Sequence, residues 1–175
     1  MYLLTEGETE RLYFQAFIAQ YGCHDVAVAR GRSSDPLRLV SEAIQARLPK
    51  PDTWVVLDAE LHDSDPTRQR RFHKALRQAA RYDIRMAIAE PCFEAWLLSH
   101  LDLHKDYRFK QTSAYFSTLL EQKTGLVYQK SHYAADYFVR ADRLAIARQS
   151  PVGRRGLSHL IECLLNRADS FTQRP

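Results

Sequence analysis

Short apolar runs alternate with longer stretches of helical spacing through the first half of the chain. YLL at 2–4 is a brief strand-like run. From about Thr9 to Tyr21, the residues Tyr13, Phe14, Phe17, Ile18 and Tyr21 recur three and four apart, which predicts an amphipathic helix ended by Gly22. DVAVA at 25–29 predicts a short buried strand. The Asp35-Pro36 step supplies an N-cap and a first-turn proline for a helix through Leu37, Val40, Ile44 and Leu48, closed by Pro49 and Pro51. TWVVLD at 53–58 predicts the third strand. Asp65-Pro66 opens a third helix carrying Phe72, Ala75, Leu76 and Ala79, and IRMAIA at 84–89 is the fourth strand.

Strands that alternate with amphipathic helices predict an α/β fold: a four-stranded, mostly parallel sheet with flanking helices, of Toprim or Rossmann type, over residues 1–92. Beyond Pro91 the pattern changes. CFEAWLLSHL, TSAYFSTLLEQ, YAADYFVRADRLAIA and LSHLIECLLNRA keep helical spacing with no further convincing strand, so residues 93–175 read as a helical C-terminal extension packed on the core, the two making one compact domain. Gly125 and the Pro151 to Gly153 stretch mark loops.

Composition narrows the class. With 45% hydrophobic and 26% charged residues among 175, the chain is an ordinary globular protein, and no apolar stretch approaches the roughly 20 residues of a membrane span. The expected location is cytoplasmic. Cys23, Cys92 and Cys163 form no CxxC pair, which argues against a disulfide framework and leaves them as small core residues. The net charge of +4, from 25 Lys+Arg against 21 Asp+Glu, permits a phosphate-bearing partner without demanding one. Basic clusters occur at Arg30 and Arg32, at Arg68, Arg70, Arg71 and Lys74, and at Arg154 and Arg155; each has the plain reading of a solvated face, and Arg30, Arg32, Arg154 and Arg155 are the candidate nucleic-acid contacts.

In an open parallel sheet, ligands bind outside the carboxyl ends of the strands. Glu6 follows the first strand, Asp58 and Glu60 end the third, and Glu90 follows the fourth, so widely separated acids reach one sheet edge. Asp58 and Glu60, two apart in extended backbone, project to the same side. Carboxylates placed this close repel unless a cation sits among them. An oxygen-rich site of this kind suits Mg²⁺ or Mn²⁺, and the chemistry it suits is phosphoryl transfer. Glu6 alone has a plainer reading, as an acid answering a helix N-terminus. His62 continues the two-residue spacing and reads as a loop histidine or a further ligand. His100 shares a stripe with Phe93, Trp96 and Leu97 and reads as a hydrogen-bonded core histidine, with Trp54 and Trp96 also core.

Three motifs carry a family resemblance. EGETE at 6–10, followed by Tyr13 and Phe14, resembles the EGxTExxYF opening of RloB-like proteins, whose fold is related to the Toprim domain. VVLDAE at 55–60 resembles the acidic motif of that family's third strand, and EPCFEAWLLSH at 90–100 resembles its PCFExWLLxH segment. Tyr128, Gln129 and Lys130 match a YxK-like element more weakly. Glu60 stands where Toprim domains usually carry Asp, and Ala89 where a small polar residue is common.

The resemblance implies that Glu6 is a metal ligand or general acid/base, with Asp58 and Glu60 as ligands and Glu10 helping to hold a second metal, as the matching acid does in OLD-type nucleases. It implies Glu94 as an accessory ligand and Lys130 as a cation facing the developing phosphorane. Each also has a plainer reading: a first-turn helix acid, a surface helical position and a loop lysine. The implied activity is Mg²⁺- or Mn²⁺-dependent cleavage of DNA or RNA, possible tRNA included, in a restriction-linked or antiphage defence system. A separately encoded ATPase is the implied partner, because no GxxxxGK[ST] motif is present here. The rival is a module that keeps the fold without the chemistry, as the regulatory subunit of an ATPase complex. Whether the chain self-associates is left open.

Overall fold

The computed structural model describes residues 1–46, 52–59, 65–102 and 112–172, the last four as backbone. Four strands, β1 (Tyr2–Thr5), β2 (Ala27–Arg30), β3 (Thr53–Asp58) and β4 (Arg85–Ala89), form one sheet in the order β2-β1-β3-β4. Every neighbouring pair is parallel. The fold is α/β, as the alternation predicts.

The connecting helices are α1 (Glu8–Tyr21), α2 (Pro36–Gln45) and α3 (Pro66–Arg81). Their ends follow local chemistry. Asp35 accepts a hydrogen bond from the Arg38 N–H at 2.9 Å and Asp65 one from the Thr67 N–H at 2.7 Å, each just before a first-turn proline. Gly22 ends α1 in the left-handed region at φ +67°, where its N–H reaches the Ile18 carbonyl. Leu48, Pro49 and Pro51, expected at the close of α2, lie outside the described residues.

The helices cover the sheet on both faces. Leu39, Val40 and Ala43 of α2 and Phe72, Ala75 and Ala79 of α3 pack with Leu4, Val55, Leu57 and Ile88 on one face. The other face is larger: Tyr13, Phe14 and Phe17 of α1 join Leu3, Trp54 and Val56 with residues from α4 (Phe93–Ser99), α5 (Ser113–Thr124), α6 (Ala135–Phe138), α7 (Ala141–Ala147) and α8 (Leu157–Thr172). Each fully buried Leu or Phe in such a layer stabilises the fold by about 1.5–3 kcal/mol.

The 133–147 stretch, helical in spacing, forms two helices: it breaks after Phe138, and Arg140 is extended before α7 starts. Two sequence expectations need correction. DVAVA is not a buried strand, because β2 lies at the sheet edge and Ala27 and Arg30 are exposed. Cys23 and Cys92 are buried, but Cys163 is only partly so.

Candidate active site

The strand order creates a switch point. From β1 the chain crosses to β2 on one side, then passes back over β1 to β3 on the other, so the connections leaving β1 and β3 diverge and open a crevice at the carboxyl edge. Glu6 leaves β1 and Asp58 ends β3 at this crevice. The backbone there is tightly tied: the Glu6 N–H donates to the Val56 carbonyl at 2.9 Å, and the Asp58 N–H donates to Glu6 Oε2 at 3.1 Å.

A pocket of about 200 Å³ opens at this point, lined by Glu6, Gly7, Glu8, Thr9, Glu10, Arg30, Ser34, Asp58, Phe93, Glu94 and Lys130. Five residues expected from sequence, Glu6, Glu10, Asp58, Glu94 and Lys130, therefore meet in one place, with Arg30 on the wall. Glu60 and His62 lie outside the described residues. Glu90 does not line the pocket; its carboxylate pairs with Arg155 at 3.5 Å. Arg32, Arg154 and Arg155 also stay off the wall. Arg32 pairs with Glu42 at 3.4 Å, Arg154 is exposed, and Arg155 lies over the Phe72 ring at 5.5 Å.

Burial decides between the plain and functional readings of two acids. Glu10 is 4% exposed and Glu94 1%, so neither is a solvated helix acid. An unpaired buried carboxylate is costly in its charged form, and the cost shows in the titration. Burial, with Glu6 and Glu94 adding to it, pushes the Glu10 carboxyl up to about 8. Burial also raises the Asp58 carboxyl well above the usual carboxylate range, with Glu10, Glu94 and Glu6 adding and Lys130 opposing.

The partners of each acid differ. Asp58 Oδ1 accepts from the Phe93 N–H at 2.9 Å, so the start of α4 points an amide at it. Glu94 Oε1 accepts from the Tyr128 hydroxyl at 3.0 Å and pairs with Lys130 Nζ at 3.3 Å. Glu94 Oε2 is buried with no hydrogen-bond partner among the described residues. Burial works against the Lys130 ammonium, but Glu94, with Asp58 and Glu10 adding to it, outweighs burial and the group is raised overall. Among the described residues, no three His, Cys, Asp or Glu side chains stand in position to hold a metal ion together.

Sequence reasoning misses the scaffold that brings Lys130 in. Gln129 and His132 exchange backbone hydrogen bonds of 3.1 and 2.8 Å, forming a tight turn that presents Lys130 to the pocket. Thr9 Oγ1 lies 3.1 Å from the Lys130 carbonyl and 3.3 Å from the Tyr128 hydroxyl, and the Tyr133 hydroxyl donates to the Thr9 carbonyl at 2.8 Å. The only signal for Tyr128 is its place in the YxK-like element. His100 behaves as a core residue: its rings of contact are Tyr13, Trp96 and Phe138, its Nε2 is 3.0 Å from the Tyr13 hydroxyl, and burial lowers it to about 4. Trp54 and Trp96 are buried as well.

A four-stranded parallel sheet with flanking helices, and carboxylates gathered at its switch point, place the chain among the α/β proteins. Residues 1–152 match the RloB-like protein family, and the chain belongs to it. Searches of curated proteins and of solved structures found no match. Among the described residues, no helix is long and apolar enough to cross a membrane.

Proposed function

We propose that this protein is a Mg²⁺- or Mn²⁺-dependent nuclease that cleaves phosphodiester bonds in DNA or RNA. The observation that carries the reading is the mutually repelling set of buried Glu10 and Glu94 with half-buried Asp58 in one pocket, with a Glu94 oxygen unpartnered among the described residues. Charge crowded this way is relieved by a cation, and Mg²⁺ needs only one or two carboxylates when waters and substrate phosphate complete its shell. One or two of Asp58, Glu10 and Glu6 would hold it, with water completing the shell and Glu60 as the further ligand implied by the family resemblance. A bound ion of this type supplies Lewis-acid neutralisation of phosphate oxygens and an activated water.

The chain's own groups do the rest. Glu6 is fixed by the Asp58 amide, and Asp58 by the Phe93 amide, so both carboxylates are oriented before substrate arrives. Glu94, which accepts from the Tyr128 hydroxyl, holds Lys130 at the pocket, where its charge would face a transferring phosphoryl group. Arg30, at the end of β2, supplies a second cation on the wall for a neighbouring phosphate. The resemblance adds a separately encoded ATPase as partner and a role in restriction-linked or antiphage defence.

The test is cleavage of labelled DNA and RNA with Mg²⁺, Mn²⁺ or EDTA. Cleavage should require metal and fall by about a hundredfold or more in Asp58→Asn, the scale of removing one preorganised charge-stabilising group. No cleavage with either metal, together with no thermal shift on adding Mn²⁺, overturns the reading in favour of a regulatory module. Cleavage undiminished in Asp58→Asn overturns it as well.

A further inference from the structure

We propose that the outer face of α3 is a track for the nucleic-acid backbone leading to the pocket. This rests on the phosphodiester reading of that pocket. Residues 66–81 contain Arg68, Arg70, Arg71, Lys74, Arg77 and Arg81 and no Asp or Glu, six positive charges against a net of +4 for the whole chain. The rest of the molecule is therefore slightly acidic, and the positive charge is a local feature.

Arg70, Lys74, Arg77 and Arg81 follow spacings of four, three and four, which places them on one line along the helix. Phe72, Ala75 and Ala79 occupy the opposite face and are buried against the sheet. All four cations are exposed, and none has a carboxylate partner among the described residues. At 1.5 Å per residue the line extends about 16 Å.

Arg71 fixes where this track begins. Its guanidinium makes a two-bonded pair with Asp35, at 2.6 and 2.9 Å, and Asp35 follows Ser34 on the pocket wall. The first turns of α3 are thus pinned to the rim of the pocket, and the basic line runs from there along the outside of the molecule. A membrane surface fits this helix poorly, because an interfacial helix must insert its apolar face and that face of α3 lies in the core. A polyanion whose phosphodiester also enters the pocket fits both features.

The experiment measures binding of a fluorescent DNA duplex and an RNA hairpin in EDTA over a salt series, comparing wild type with Arg70→Gln/Lys74→Gln/Arg77→Gln. Gln keeps helix propensity, and circular dichroism confirms that the variant is folded. For the duplex, each phosphate contact contributes about 0.9 to the slope of log K against log salt, so the triple variant should be shallower by about 3 and bind at least about tenfold more weakly. Asp58→Asn should keep the wild-type slope while losing cleavage. If wild type fails to cleave but shows this α3-dependent slope, the track stands and the nuclease reading falls. The inference is overturned if wild type binds neither nucleic acid, if the triple variant keeps the wild-type slope for both, or if it loses only binding to phosphatidylserine vesicles.

Discussion

Gly7 sits at φ −120°, ordinary extended backbone, so left-handed geometry does not explain a glycine there. Its reason is space: a Cβ would come within 2.6 Å of Glu10 Oε2. Gly7→Ala should therefore push the Glu10 carboxylate aside and cut metal-dependent cleavage, while unfolding free energy by urea changes by less than about 1 kcal/mol. His100 gives a second residue-level prediction. Its folded value is lowered to about 4 by burial, so between there and the ordinary histidine value of 6.5 the unfolded chain binds the extra proton. Stability is then complete above 6.5 and is lost as pH falls toward 4, by on the order of 3 kcal/mol. The raised Glu10 and Asp58 carboxyls work in the opposite direction over that range, so the His100 share is read as a difference: urea melts of wild type minus His100→Gln should fall as pH drops from 6.5 toward 4. The neutral core role of His100 is legible from its stripe with Phe93, Trp96 and Leu97. The depth of Glu94 is not, because all seven residues of α4 are buried and the segment has no polar face to mark.

At the scale of elements, the strands were legible because each is a compact apolar run bounded by turn residues, and TWVVLD coincides with β3. What the pattern cannot carry is contact made by isolated residues. The Ile88 N–H donates to the Arg155 carbonyl at 2.9 Å, and Gly156 bridges Ile88 in parallel, so two residues before α8 extend the free edge of β4. Such a pair has no periodicity to detect. Gly156 adopts φ +109°, and a Cβ on it would lie 2.3 Å from the Met86 carbonyl oxygen, a backbone atom that cannot swing away. Gly156→Ala combines that clash with left-handed strain and should cost about 3 kcal/mol, read as a lowered urea midpoint at unchanged slope. The Gln129–His132 turn escaped detection for the same reason, although it delivers Lys130.

For the whole molecule, the sequence shows a change of pattern near residue 92, but the core does not divide there. Tyr13, Phe14, Phe17 and Trp54 are buried in the same cluster as Trp96, Leu97, Phe116, Phe138, Leu160 and Leu164. A boundary read from hydropathy records where strands stop, whereas a core is defined by which side chains share a face, and helical residues late in the chain cover aromatic residues near its beginning. A chain ending at residue 92 would leave one face of the sheet and the aromatic side of α1 open to water, a contiguous apolar surface that soluble monomers seldom tolerate. It would also lack Glu94, Tyr128 and Lys130, leaving Glu10 and Asp58 without the cation that partly offsets their repulsion. The truncated chain should aggregate or melt without a cooperative transition, and calorimetry should find no unfolding peak. A sharp peak from residues 1–92 would mean that the face beneath α4 and α8 is dispensable for folding, and that the helical half serves the pocket alone.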